Sequence, residues 1–208
     1  MNTEPRWPAA LAALAAGGVY MALPDALSLG PRWLLLVLVA GCLVPTVATH
    51  RAGHIHWNQR FGFLTLGLLT LFLVYTLGAL VVALPAHIET PRQLLFSAIV
   101  IWTTNVLVFS VWYWRLDAGG PNARDRRAHH AQGAFQFPQM VGDESHPSQR
   151  HWRPGFVDYL FLAFNTATAF SPTDCPVLSR WAKVLMMIES SISLATLALL
   201  AARAVNIL

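Results

Sequence analysis

The stretch FGFLTLGLLTLFLVYTLGALVVAL, residues 61–84, contains no charged side chain. A helix rises about 1.5 Å per residue, and roughly 20 apolar residues are enough to cross about 30 Å of hydrocarbon. Because this run exceeds that length without a polar face for water, it predicts a membrane-spanning helix. It is the cleanest apolar run in the chain, and the other runs are interpreted in the same way.

The composition of the whole chain indicates the same class. Of its 208 residues, 55% are hydrophobic and only 12% are charged, whereas soluble domains carry about 25% charged residues. The mean hydropathy is +0.49. We therefore predict an all-α, multi-pass membrane protein. The heavy use of Arg, Ala and Leu, with Lys183 as the only lysine, indicates a GC-rich genome and hence a bacterial cytoplasmic membrane.

About five transmembrane helices are expected. Their apolar runs cover residues 9–23, 33–49, 61–84, 94–114 and 181–208. The first run is also of the length of a signal-peptide core, but the following Pro24-Asp25-Ala26 is a poor cleavage site. This favours a retained first helix.

A sixth run, residues 156–169, would form a helix of only about 21 Å, which is too short for an upright crossing. The next residues, FSPTDCP at 170–176, contain two prolines that disfavour continuation of the helix. A short helix, a break and a full span predict a re-entrant helix before the last span. The chain then divides into a four-helix region (1–114), a polar Arg-rich linker expected to be mobile (115–153), and the re-entrant unit (154–208).

The arginines are distributed unequally between the two sets of loops. One set contains Arg6, Arg51, Arg60, Arg115, Arg124, Arg126, Arg127, Arg150 and Arg153, and the other contains only Arg32 and Arg92. Because cytoplasmic loops carry the excess of Lys and Arg, the amino terminus and the linker are predicted to be cytoplasmic.

Polar side chains are concentrated where the re-entrant helix would end. Irregular backbone at membrane depth is tolerated only where it is buried in protein or lines water. One interpretation is a polar pathway with Thr166, Thr168 and Ser171 as oxygen ligands and Asp174 attracting cations at its mouth. The alternative is a capped turn, in which these side chains bind freed backbone amides.

Glu189 lies within the last apolar run. An ionisable group at that depth costs a few kcal/mol unless it faces protein or water, so it is a candidate for binding a cation or relaying a proton. The polar neighbours expected for it are Asn105, Ser190 and Ser193. The alternative is that it pairs with Lys183 or Arg180 near the interface.

The end of the chain carries a family resemblance. Its residues are Phe156, Asp158, Tyr159, Phe161, Thr166, Thr168, Asp174, Ser179 and Arg180, followed by a long apolar helix. This order resembles the pore-helix, filter and inner-helix unit of potassium-channel-like proteins. It is also similar to the end of an uncharacterised family of bacterial multi-spanning membrane proteins.

Against the channel signature Thr-x-Thr-Thr-Val-Gly-Tyr-Gly-Asp, the filter of this chain is degenerate. Ser171 and Thr173 replace the glycines, and Pro172 replaces the aromatic residue. Ser, Thr and Pro adopt poorly the backbone conformations that aim consecutive carbonyls at an ion. The resemblance therefore implies a channel scaffold without potassium selectivity.

The sequence thus favours a channel-like or permeation function in a homo-oligomer. The alternative is a non-conducting scaffold whose 115–153 linker meets a cytosolic partner or anionic lipid. No enzyme signature, cofactor motif or metal-ligand spacing is recognised. A nucleic-acid partner is not expected, because the arginines lie beside apolar runs. Cys42 and Cys175 are expected to be free thiols.

Overall fold

A computed structural model describes residues 4–83, 90–127, 133–140, 152–171 and 174–205. Its helices are α1 (Trp7–Tyr20), α2 (Leu34–Arg51), α3 (Ile55–Ala83), α4 (Pro91–Leu116), α5 (Pro121–Arg124), α6 (Phe156–Ala169) and α7 (Arg180–Val205). Within these residues the only β contact is an isolated antiparallel bridge between Phe135 and Val177. The predicted all-α class is confirmed.

Within the described residues, four helices are long and apolar enough to cross a membrane. They are α2, α3, α4 with the turn that continues it to Arg124, and α7. Helix α1 is apolar but shorter. The run predicted at residues 156–169 forms α6 with the same bounds. These helices agree with the predicted multi-pass architecture.

Helix α4 is at the centre of the bundle and packs against α1, α3, α6 and α7. Small buried residues on α4, among them Ser97, Ala98 and Ser110, let neighbouring helices approach closely. Its start is fixed by a capping box: the Thr90 amide donates to Gln93 Oε1 (2.9 Å), and the Gln93 amide donates to Thr90 Oγ1 (3.3 Å).

Helices α1 and α2 are antiparallel neighbours. The side chain of Arg6, which precedes α1, lies 2.6 Å from Nδ1 of His50 at the end of α2. Beyond the other end of α1, the Leu29 amide donates to the hydroxyl of Tyr20 (2.6 Å). The Arg6 end of the bundle also holds the α2–α3 turn and α5, and we call it the charged end.

A buried ion pair ties the amino terminus to α5 at the charged end. Arg124 donates to both carboxylate oxygens of Glu4 (3.0 and 3.1 Å) and to the backbone oxygens of Trp114 and Asp117 (2.8 Å each). The Trp114 indole also donates to Glu4. Arg124 is only 5% exposed, so four protein oxygens take the place of water around its guanidinium.

The described part of the linker packs against the helices. Asp117 is buried, and its carboxylate accepts hydrogen bonds from the hydroxyl of Tyr159 (2.7 Å) and from the Ala134 amide. The ring of Phe135 packs between Tyr113, Tyr159 and Trp181, with centroid distances of 5.2, 6.4 and 6.0 Å. Residues of 117–127 and 133–140 are therefore packed against the helices.

Candidate functional site

Helices α6 and α7 begin at the same end of the bundle. Phe135 contacts Tyr159 in the first turn of α6 and Trp181 in the first turn of α7. Further along both helices, Ser190 Oγ lies 3.4 Å from the backbone oxygen of Thr166. The two helices therefore run side by side in the same direction.

The chain turns sharply where α6 stops. Phe170 has φ 55°, a left-handed conformation that non-glycine residues adopt rarely and that ends a helix. Helix α6 has 14 residues, a length of about 21 Å. Its last turn therefore lies within the bundle, beside the middle of α7.

Glu189 is fully buried at the contact between α4 and α7. The hydroxyl of Tyr113 donates a hydrogen bond to its Oε2 atom. Its Oε1 atom has no hydrogen-bond partner among the described residues, although it is shielded from solvent. A buried carboxyl oxygen of this kind is a place where a proton or a cation would be stabilised.

Asn105 of α4 meets the backbone of Glu189 and the next turn of α7. Its side-chain amide donates to the backbone oxygen of Glu189 (3.0 Å) and to Ser193 Oγ (3.1 Å). Within the described chain, Asn105 Oδ1 is a second buried oxygen without a partner. We call Asn105, Tyr113, Glu189 and Ser193 the Glu189 cluster.

Of the expected neighbours of Glu189, Asn105 bonds to its backbone oxygen, Ser193 bonds to Asn105, and Ser190 bonds to α6 instead. The alternative pairing of Glu189 with Lys183 or Arg180 is not observed, and both of those side chains are exposed. Sequence reasoning missed Tyr113, which lies between Trp112 and Trp114 at the end of the fourth apolar run, where aromatic residues are expected to meet lipid headgroups. The spacing of eight between Asn105 and Tyr113, two helical steps of four, was the available signal.

The other predicted pathway residues are dispersed. Thr166 is buried and donates to the backbone oxygen of Leu162 (2.8 Å), while Thr168 is exposed and donates to that of Phe164 (2.7 Å). Ser171 and Asp174 are also exposed. The structure thus brings Thr166 towards the Glu189 cluster through Ser190 and leaves the other three outside it. Thr173 and Pro172 lie outside the described residues.

Asp174 lines a small cavity of about 90 Å³ beside α6, together with Asn165 and Asp158. Asn165 Nδ2 is buried there without a partner among the described residues. The cavity is separate from the Glu189 cluster, since none of the cluster residues lines it.

Two residues of the family-like motif have local structural roles. The carboxylate of Asp158 accepts a hydrogen bond from the Gly155 amide (2.7 Å) and so caps the start of α6. Tyr159 holds Asp117 of the linker. The motif therefore positions α6 and its contact with residues 117–135.

Protein-family models, curated proteins and solved structures include no match to this chain.

Proposed function

We propose that this chain is a channel-like or permeation protein of a bacterial cytoplasmic membrane, in which the Glu189 cluster binds or relays a small cation or proton. The observation that carries the proposal is the fully buried carboxyl group of Glu189, with Oε2 on Tyr113 and Oε1 without a described partner. Intramembrane carboxyl groups in bundles commonly mark ion pathways and proton relays.

The proposed topology has five spans and a re-entrant α6. Helix α1 has the same 14 residues as α6. We count it as a span because its two ends meet opposite ends of the bundle: Arg6 contacts His50 at the end of α2, and Tyr20 contacts Leu29 in the opposite loop. The shared starting point of α6 and α7 at Phe135 supports the re-entrant assignment. The arginine distribution supports placing the charged end in the cytoplasm.

The degenerate filter segment is not proposed to select potassium. The hydroxyls of Thr166 and Thr168 are bound to the backbone of their own helix, so in this arrangement they are not directed at a shared ion. A homo-oligomer is part of the proposal, since one re-entrant segment alone does not enclose a pore.

The test is cation flux in proteoliposomes that contain the purified wild-type chain or the Glu189→Gln variant. We expect the wild type to pass protons or potassium ions. The variant should pass the same ion about tenfold more slowly, since losing roughly 1.4 kcal/mol of cation stabilisation corresponds to that factor. Asp25→Asn is the matched control, because it removes an equal charge at an exposed loop position.

Two outcomes would contradict the proposal: absence of flux through the wild type, or equal flux through Glu189→Gln.

The alternative is the scaffold function, which is favoured by the exposed side chains of Arg126 and Arg127 at the charged end. A partner or anionic-vesicle interaction lost on Arg126→Ala with Arg127→Ala, in a protein without flux, would support the scaffold. A deletion of the whole linker is unsuitable, because it would also remove the buried Arg124 and Phe135.

A further inference from the structure

A cavity of about 650 Å³ lies at the charged end, between α1, α2, α3 and α4. This volume falls within the roughly 300–1,000 Å³ that is typical of small-molecule sites. Its walls are mainly aliphatic and include Leu11, Leu14, Leu43, Val47 and Leu66. An occupant must therefore present a substantial apolar portion.

The polar end of this cavity carries an excess of positive charge. Glu4 and Arg6 line it, but Glu4 is bound by Arg124 and Arg6 is bound by Asp125 (2.7 Å). The charges that remain on the lining are Arg51 and Arg115. Neither has a carboxylate partner in the part of the chain that the structure describes.

The guanidinium of Arg115 is held at this end by the backbone. Its Nη2 atom donates to the backbone oxygens of Asn58 (2.6 Å) and Gln59 (3.4 Å). The buried Nε atom has no partner among the described residues. Backbone oxygens orient the group without neutralising it, so its charge is available to an anion.

Gly62 makes the space that this guanidinium occupies. A Cβ atom at position 62 would lie 1.8 Å from Cζ of Arg115, so any side chain there would displace the group. Among the glycines of α3 this close approach is specific to Gly62: a Cβ atom at Gly67, further along the same helix, would meet nothing within 4 Å. The position of the Arg115 guanidinium against α3 therefore depends on the absence of a side chain at position 62.

The cavity opens on the apolar flank of the bundle. Leu11 and Val47 line it and are 57% and 43% exposed, so their surfaces face both the cavity and the surroundings of the helices. In a membrane those surroundings are acyl chains. An occupant could therefore enter from the side with its apolar portion first and its head towards Arg51 and Arg115.

We propose that this cavity binds an anionic phospholipid, with one acyl chain between α1 and α2 and its phosphate at Arg51 and Arg115. Arginine recognises phosphate by charge-assisted hydrogen bonds, which supports placing the lipid phosphate at Arg51 and Arg115. The cytoplasmic position of the charged end agrees with the anionic surface of that leaflet. The inference rests on the proposed membrane topology and is independent of ion flux.

The experiment is native mass spectrometry of the delipidated full chain after titration with phosphatidylglycerol or phosphatidylcholine. We expect one phosphatidylglycerol to bind about tenfold more tightly than phosphatidylcholine, as expected for one charge-assisted interaction. Arg51→Gln with Arg115→Gln should abolish this preference. Gly62→Ala should weaken the preference for phosphatidylglycerol by displacing the Arg115 guanidinium, while Gly67→Ala on the same helix should retain that preference.

Equal affinity of the wild type for the two lipids would overturn the proposal, as would an unchanged preference in the double variant. Complete displacement of phosphatidylglycerol by inorganic phosphate would also overturn it, because that result would identify a site for a soluble anion. Size-exclusion elution of each variant checks that it is folded. Gly62→Ala keeps every charge, so it tests the site even if the double variant does not fold. Failure of ion flux with intact lipid preference would contradict only the permeation proposal.

Discussion

At the scale of single residues, the buried charges of this chain have very different surroundings. Arg124 is bound by two carboxylate and two backbone oxygens, and Asp117 is bound by a hydroxyl and an amide. Glu189 retains one oxygen without a described partner. Arg124 and Asp117 have hydrogen-bond partners that account for their burial, so we assign them structural roles. Glu189 has an oxygen without such a partner among the described residues, and it is therefore the functional candidate.

We predict that Arg124→Met lowers the free energy of unfolding by about 3 kcal/mol, because it leaves the Glu4 carboxylate, whose side chain is only 13% exposed, without its guanidinium. Denaturant unfolding in detergent micelles measures this loss. The control is Arg126→Met on the exposed side of the same segment, which should change stability by less than about 0.5 kcal/mol. The proposed role of the pair would be wrong if both variants were equally stable.

The partner of Glu189 shows what residue patterns leave open. Asn105 and Ser193 were predictable, because polar residues inside apolar helices seek one another. Tyr113 was not, since an aromatic residue at the end of a span is equally expected at a lipid headgroup or in a buried hydrogen bond. Whether Tyr113 is buried against Glu189 or faces lipid depends on which side of α4 packs against α7.

At the scale of elements, the helices were predictable and the linker was not. Apolar length determined the helices, and α6 matches its run at both ends. The segment 133–140 has no helical or strand period, yet Phe135 and Phe137 are buried. Its packing depends on contacts with α4, α6 and α7 that are distant in sequence, and local pattern does not report such contacts.

Cys175 lies beside the segment that holds Phe135, since Phe135 forms a bridge with Val177 and the Gln136 amide donates to the Pro176 oxygen. Cys175 is 6% exposed, and burial raises the pKa of its thiol to about 12. The reactive thiolate is therefore scarce at neutral pH. An iodoacetamide reagent should label wild-type Cys175 slowly in a Cys42→Ser background, and labelling should become faster as the pH rises from about 7 to about 9, because the thiolate fraction increases.

Phe135→Ala should loosen the packing of the segment beside Cys175. We expect it to lower the free energy of unfolding by about 3 kcal/mol and to accelerate labelling of Cys175. Phe161→Ala is the control, because Phe161 on α6 is 62% exposed. Slow labelling in both variants would show that residues other than Phe135 protect the thiol.

At the scale of the whole molecule, the all-α class and the presence of several helices of membrane-spanning length followed from composition and run length. The grouping of the candidate site did not. Thr166, Thr168, Ser171 and Asp174 are close in sequence, but a helix end and a reversal of the chain direct them to different surroundings. Glu189 is distant from them in sequence, yet its helix neighbour Ser190 contacts Thr166.

The orientation of the bundle can be tested with single cysteines in a background with Cys42→Ser and Cys175→Ser. The sites are Ala26→Cys, Arg126→Cys and Asp174→Cys, all at exposed positions. In a bacterial host, an impermeant thiol reagent should label Ala26→Cys in intact cells. The other two should be labelled only in inverted vesicles, because they lie at the arginine-rich end. Labelling of Asp174→Cys in intact cells would reverse the orientation and place the filter-like segment outside, as in a channel.

The contact between Gly62 and Arg115 also constrains the order in which substitutions can accumulate. With arginine at position 115, a methyl group at position 62 occupies the place of the guanidinium; with a short residue at position 115, the same methyl group fills a space. The sign of one mutation's effect thus depends on the other. A lineage that acquires alanine at position 62 is expected to have lost the arginine first, and with it the phosphate site.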